Sequence, residues 1–424
     1  MPEWRDPLAE IFPPLSDHEA AVEAHRCLYC FDAPCTHACP THIDVPKFIK
    51  KIATGNLLGS ARTILESNLV GATCARVCPV QELCEGACVL NADEKPIAIG
   101  RLQRYAMDSL QTDLFSPGEP TGMKIAVVGS GPASLSCAGE LARMGHAPTI
   151  FERRALPGGL STYGIITLRE PKEVAINEAQ MIARLGVQMV YGVEVEDFTE
   201  LLESFDAVFL GVGLGSTPEL QIPGEESIED GLAFIERSKV EREQLHVGRK
   251  VVVIGAGNTA IDCATIAKRL GAASVKMVYR RSEQEMTAYA HEYEFIKKEG
   301  VEFEFLTQPV GVISDQGQLK GLLCSKMQLG EPDSSGRRTA IKAPGSSFII
   351  EADQIIKAIG QKKLHSDVRT VNGFIEVNEE FETSIVGIFA GGDCIRSRGT
   401  ASTVMAAQDG KLAAKAIDRR LRGQ

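Results

Sequence analysis

The chain has 424 residues, of which 45 are lysine or arginine and 56 aspartate or glutamate, giving a formal net charge of −11. With 44% apolar residues it can bury cores for about three domains of ordinary size, while the acidic balance argues against nucleic acid and anionic membrane surfaces as partners. No apolar run approaches the ~20 residues of a membrane helix. The start MPEWRDPLAE has neither the basic nor the apolar part of a secretory signal, so the expected location is the cytoplasm and no disulfide framework is needed.

Eight of the twelve cysteines fall between Cys27 and Cys88. The run CLYCFDAPCTHACP supplies Cys27, Cys30, Cys35 and Cys39 before Pro40; CARVCPVQELCEGAC supplies Cys74, Cys78, Cys84 and Cys88, with Pro79 after Cys78. Zinc asks for two short pairs of ligands, whereas iron–sulfur cubanes use a CxxC start, a nearby third thiol and a Cys-Pro cysteine that crosses to another cluster. The spacing favours a pair of [4Fe–4S] clusters, with zinc as the alternative. Apolar positions in VPKFIKKIATGNLLGSARTILESN recur at helical spacing, so residues 1–115 read as an α-helical domain whose clusters are expected to supply much of its core.

After the turn-rich SPGEPTGM comes KIAVVG, a continuous apolar strand of the kind buried in a parallel sheet. Gly129, Gly131 and Ser134 then occupy the GxGxxG/A positions, and Glu152 ends the next strand. Small residues let a pyrophosphate approach a helix N-terminus, and the acid accepts hydrogen bonds from ribose hydroxyls. The pattern returns in KVVVIGAGNTAIDCATIAKRLG, where Gly255, Gly257 and Ala260 take the same places, but the following strand ends in Arg280 and Arg281. Two guanidiniums suit a 2′-phosphate and favour NADPH over NADH; a solvated surface pair is the bland alternative. Between 301 and 360, VEFEFL, GVISD, LKGLLCSKM and SFIIEADQII read as short strands extending this second unit. Near the end, GIFAGGDC closes a strand at Asp393 and a helix starts near Thr403. Such a return segment fits an FAD domain interrupted by a nicotinamide domain.

The fold class is therefore α/β: an α-helical iron–sulfur domain (1–115), then two Rossmann-like domains, with a discontinuous FAD domain (116–220 and 363–424) around an NAD(P)H-binding domain (221–362). No thiol pair accompanies the flavin segments, since Cys137 and Cys263 lie in nucleotide-fold helices and Cys394 is alone. Thioredoxin-reductase chemistry is disfavoured.

The segments GATCARVCPVQELCEGAC, IAIGRLQR, VVGSGPASLSCA, FERRALPGGLST, GAGNTAIDCA and FAGGDC resemble the flavin-containing small subunit of bacterial dihydropyrimidine dehydrogenase and the N-terminal part of the eukaryotic enzyme. The wider family includes the glutamate synthase small subunit and a ferredoxin–NADP transhydrogenase subunit. The resemblance spans essentially the whole chain and implies an oxidoreductase of pyrimidine catabolism that oxidises NADPH or NADH through FAD. It implies single electrons leaving through two [4Fe–4S] clusters to an FMN- and iron–sulfur-containing subunit that reduces uracil or thymine, in a heterotetramer; feeding glutamate synthase or ferredoxin is the alternative. One cluster would take Cys27, Cys30, Cys35 and Cys88, the other Cys39, Cys78, Cys84 and the side chain of Gln103, with Cys74 a packed thiol. In the rival reading Gln103 is a surface helix residue and Cys74 the eighth ligand. For FAD the resemblance implies Glu152 to Leu160, including Gly159, with Arg169, Gly392, Asp393 and Thr403. For the nicotinamide nucleotide it implies Ala256, Gly257, Asn258 and Thr259, the arginine pair, and Ala358 to Gly360. Thr287 stands where the single-chain enzyme has a further basic residue, which leaves NADH in play.

Overall fold

The computed structural model describes residues 6–93, 95–242, 245–332, 338–362, 368–395 and 402–423. The cysteine-rich segment is helix and loop. Helix α1 (Asp17–His25) starts at a reciprocal Ser16–Glu19 capping box, and α2 (Pro34–His37) follows the first thiols. Asp44 and Asn56 cap α3 (Val45–Ala53) and α4 (Leu57–Ser67); α5 (Gly71–Val77) and α6 (Ile99–Asp108) complete the set. Phe48, Ile49, Ile64, Leu65 and Leu102 are fully buried together, whereas Cys27, Cys35, Cys84 and Cys88 only pack against that core from its margin. Apolar side chains from α3, α4 and α6 form this core, with Cys39 buried among them, while α2 buries no residue.

Next in the chain come β1 (Lys124–Val128), α7 (Pro132–Arg143), β2 (Ala147–Glu152), α8 (Leu160–Tyr163), α9 (Lys172–Ala183), β3 (Gln188–Tyr191) and β4 (Ala207–Leu210). A second series follows: β5 (Glu229–Asp230), α10 (Gly231–Val240), β6 (Lys250–Ile254), α11 (Asn258–Arg269), β7 (Ser274–Val278), α12 (Ala290–Lys298), β8 (Glu302–Glu304), β9 (Thr307–Asp315), β10 (Gln318–Pro332), β11 (Arg338–Glu351) and β12 (Gln354–Lys357). The tail holds β13 (Thr370–Val371), β14 (Phe374–Ile375), β15 (Ile388–Ala390) and α13 (Thr403–Leu421).

Two compact units result, one of residues 11–162, 169–214 and 363–424, the other of 1–10, 163–168 and 215–362. In the first, a parallel sheet runs β15-β4-β1-β2-β3, so the chain's last strand returns to the sheet it left, Ile388 beside Val208 and Phe389 beside Phe209. Strand β4 is buried at every position, as a strand covered on both faces must be. Helix α13 lies on α7 so closely that a Cβ at Gly410 would stand 2.0 Å from the Ala133 carbonyl oxygen. The second unit holds a parallel sheet, β5-β12-β6-β7-β8, and an antiparallel one, β11-β10-β9.

Strands β10 and β11 are 15 and 14 residues long, where the sequence predicted short pieces. Their pairing runs from Gly321–Glu351 to Pro332–Arg338 with register shifts between Ser325 and Met327 and between Leu329 and Pro332. Much of β11 is exposed, so hydrophobic alternation stops at the point where backbone pairing continues. Among the described residues no helix is long and apolar enough to cross a membrane.

Candidate functional site

Cys27, Cys30, Cys35 and Cys88 line one cavity together with Val45, Ile49 and Ile97. The loop that brings the first three together puts two residues with side chains, Tyr29 (φ 52°) and Asp32 (φ 51°), in the left-handed region, and the Tyr29 hydroxyl donates to the Ala24 carbonyl at 3.0 Å. The thiols surround a space: among the described residues no three His, Cys, Asp or Glu side chains sit close enough to hold a single metal ion. A space walled by four thiols suits a cubane with a thiolate at each iron. Burial, aided by neighbouring Cys88 and Cys27, pushes the Cys35 thiol up to about 11, so metal uptake must displace its proton.

The second thiol group is deeper. A hydrogen bond with Cys74, burial, and nearby Cys84 and Cys39 push the Cys78 thiol well up, and burial does the same for Cys84. Cys39 Sγ lies 3.4 Å from Thr41 Oγ1. Gln103, on α6, is 8% exposed, which corrects the reading of it as a surface residue; its Nε2 donates to the Gly71 carbonyl at 2.7 Å, orienting the amide. Cys74 is buried in the apolar cluster that holds Leu69, Val70 and Leu135.

The first glycine loop leaves β1 at Gly129 (φ 89°), where a Cβ would stand 2.7 Å from the Gly211 carbonyl oxygen. Gly131 caps α7, and a Cβ there would meet nothing within 4 Å, so open space faces a helix N-terminus. The buried Glu152 carboxylate accepts the Ser130 N–H at 2.9 Å, the Ser130 hydroxyl at 2.5 Å and the Arg154 N–H at 2.8 Å. Gly159 stands against Gly131, exposed Leu160 opens α8, and Ser134 is buried under Gly211. From the tail, the Gly392 N–H donates to Asp409 Oδ2 at 3.1 Å, and burial raises the Asp393 carboxyl. Ser402 caps the helix that begins at Thr403; Arg169 is half-buried beside Glu170. A cradle with a buried carboxylate at its rim fits a pyrophosphate and a ribose.

At the second loop a Cβ on Gly255 (φ 134°) would stand 2.2 Å from the Ala358 carbonyl oxygen. Ala256 and Ala260 are buried, Thr259 is partly so, and Gly257 caps α11. A segment beyond the arginines crosses this loop: the Thr287 N–H donates to the Ala256 carbonyl at 3.4 Å and the Tyr289 N–H to Asn258 Oδ1 at 3.1 Å. Gly360 (φ 101°) faces open space. The arginine pair divides, Arg280 being exposed and Arg281 buried with its Nε donating to the Arg338 carbonyl at 2.7 Å.

Several residues escaped the sequence. Ser130 had a signal, a hydroxyl between two motif glycines. Glu170 and Glu178 had none: Glu178 accepts the Ala72 and Thr73 N–H groups at 2.6 and 3.2 Å, and Glu170 accepts the Thr73 hydroxyl at 2.6 Å. These bonds tie the flavin-type fold to the helix that carries Cys74.

Two family models match the chain: dihydropyrimidine dehydrogenase domain II, 4Fe-4S cluster, over residues 5–114, and pyridine nucleotide-disulphide oxidoreductase, over residues 123–410. The glutamate synthase [NADPH] small chain of Halomonas elongata is 35% identical, the alignment covering 96% of this chain and 92% of that one. A Salmonella typhi protein named NAD-dependent dihydropyrimidine dehydrogenase subunit PreT homolog is 33% identical, covering 97% and 96%. FprA from Mycobacterium tuberculosis, solved in complex with NADPH, shares the fold with a TM-score of 0.59 at 19% identity, covering 72% of this chain and 85% of its own.

Proposed function

The chain belongs to the pyridine nucleotide-disulphide oxidoreductase family, in the branch with an N-terminal 4Fe-4S domain, and from this premise we propose that it is the electron-input subunit of a dihydropyrimidine dehydrogenase. In this reading it oxidises NAD(P)H and delivers single electrons to an FMN- and iron–sulfur-containing partner that reduces uracil or thymine. FAD, when bound, converts the two-electron hydride of a nicotinamide into the one-electron steps an iron–sulfur cluster accepts.

The observation that carries the reading is the gathering of Cys27, Cys30, Cys35 and Cys88 around one cavity, in the same compact unit as the Gly129–Gly131 cradle. Gly131 leaves room for a pyrophosphate at the N-terminus of α7, Glu152 would take the ribose hydroxyls, and Asp393 with the N-terminus of α13 would face the rest of the flavin. Gly257 and Asn258 would seat the nicotinamide nucleotide, with Ala358 to Gly360 beside it. Cys39, Cys78, Cys84 and Gln103 would hold the second cluster. A neutral amide in place of a thiolate makes that cluster less negative and raises its potential.

The glutamate synthase reading has support of equal weight in the Halomonas relative. Co-expression of the chain with its candidate partner subunits, followed by anaerobic assay with each nucleotide, separates the two. Uracil-dependent oxidation of NAD(P)H supports the pyrimidine reading; turnover only with glutamine and 2-oxoglutarate overturns it.

A further inference from the structure

We infer that Glu285 selects between nucleotides at the second glycine loop, its carboxylate filling the seat a 2′-phosphate would take beside Arg280 and Arg281, an assignment that rests on the NAD(P)H-oxidising reading above. In a dinucleotide fold the group that reads the adenosine ribose follows the strand after the glycine loop. Here that strand is β7, and the turn beyond it carries the exposed Arg280, the buried Arg281 and then Ser282. An exposed guanidinium, a backbone N–H and a hydroxyl in one turn are the kind of donors an anionic phosphate requires.

A carboxylate already holds part of that set. Glu285 Oε2 accepts the Ser282 N–H at 3.1 Å and the Ser282 hydroxyl at 2.5 Å, while its other oxygen accepts from Arg338 Nε at 3.0 Å. The Arg338 carbonyl in turn receives Arg281 Nε. The hydrogen bond from Ser282 holds the Glu285 carboxyl below its ordinary value, so it is an anion throughout the neutral range. A capping box alone explains the contact between Ser282 and Glu285. It does not explain Arg338, which reaches from β11 to fix the carboxylate at the end of β7.

The consequence is a difference between two nucleotides. A 2′-phosphate, carrying about two negative charges, meets a fixed carboxylate where it needs bare donors. A 2′-hydroxyl is neutral and can donate to that carboxylate. Glu285 therefore opposes the arginine pair and tilts the site toward NADH.

Glu285→Gln isolates the charge, because glutamine also completes a capping box. The probes are 2′,5′-ADP and 5′-AMP, titrated calorimetrically into the full chain loaded with flavin and clusters. The substitution should tighten 2′,5′-ADP about tenfold, the scale of one removed like-charge contact, and change 5′-AMP less than about twofold. Glu285→Ala, which removes cap and charge together, should move 2′,5′-ADP in the same direction. Unchanged 2′,5′-ADP affinity in both variants, with 5′-AMP still bound, overturns the role of Glu285 alone. Failure of the wild-type chain to bind either probe overturns the nucleotide reading together with it.

Discussion

The two glycine loops share a strand, a turn and a helix, yet they treat charge in opposite ways. At the first, the acid that ends β2 folds back on its own loop: Glu152 takes the Ser130 N–H and hydroxyl and the Arg154 N–H. At the second, β7 leads into two arginines, and the carboxylate arrives later from Glu285 and is held by Arg338. In the proposed reading the backbone would supply a seat for a diphosphate in both, and the first charged residues at or beyond the end of the next strand would decide which ribose it accepts. In that reading fold and selectivity are written in different residues, and they should break separately.

The largest expected effect is a double dissociation. Gly129→Val and Gly255→Val each force a β-branched side chain into a positive-φ turn and against a backbone carbonyl, Gly211 at 2.7 Å in one and Ala358 at 2.2 Å in the other. Strain and overpacking together should destabilise the affected unit by roughly 3 kcal/mol or more. Gly129→Val should emerge without yellow flavin absorbance. Gly255→Val should keep its flavin and lose nucleotide binding, and loss of flavin from both variants would show that the loops are not independent sites.

Glu152→Ala comes next, since it removes a charged acceptor of three hydrogen bonds. Bonds to charged groups are worth about 2 kcal/mol, so the flavin should dissociate roughly thirtyfold more readily while the nucleotide affinity holds. Arg280→Ala acts on the other loop and more gently, because Arg280 is exposed. It should raise KM for NADPH about tenfold with kcat and the NADH constants unmoved, the loss of one phosphate contact. An equal rise for both nucleotides would place Arg280 elsewhere than at the 2′-phosphate.

Much of this was legible because the carriers are local. KIAVVG and KVVVIG announce buried parallel strands, and their glycines announce the turns, since each signal needs only a short window of chain. The return of β15 was legible for the same reason, as FAGGD ends an apolar strand. What stayed hidden is relational. Strands β10 and β11 continue through exposed residues by backbone pairing, which leaves no hydrophobic period to count. Glu285 looks like an ordinary charge in SEQEM until Arg338 reaches it from another strand. In the helical segment the cysteines dominate the sequence, while Phe48 and Leu102 join one core only after folding.

Glu178 bears on stability and not on ligand affinity, and its effect turns on pH. It has no counterpart described at the second loop: a carboxyl on α9 joins its unit's sheet-covering helix to α5 through the Ala72 and Thr73 N–H groups. Burial, with Glu170 adding, pushes that carboxyl from 4.5 up to about 8. Between those values the folded chain binds a proton that the unfolded chain has released, so this group's contribution is fully present at acid pH and is lost as the pH rises toward 8. Glu178→Gln keeps an oxygen acceptor for both N–H groups and cannot ionise. Its thermal midpoint should match the wild type near pH 5 and exceed it near pH 8, a divergence that a melting series at fixed ionic strength would read directly. Parallel curves across that range would mean that the carboxyl is ionised within the fold, and that α5 is held by a charged acceptor in place of a neutral one.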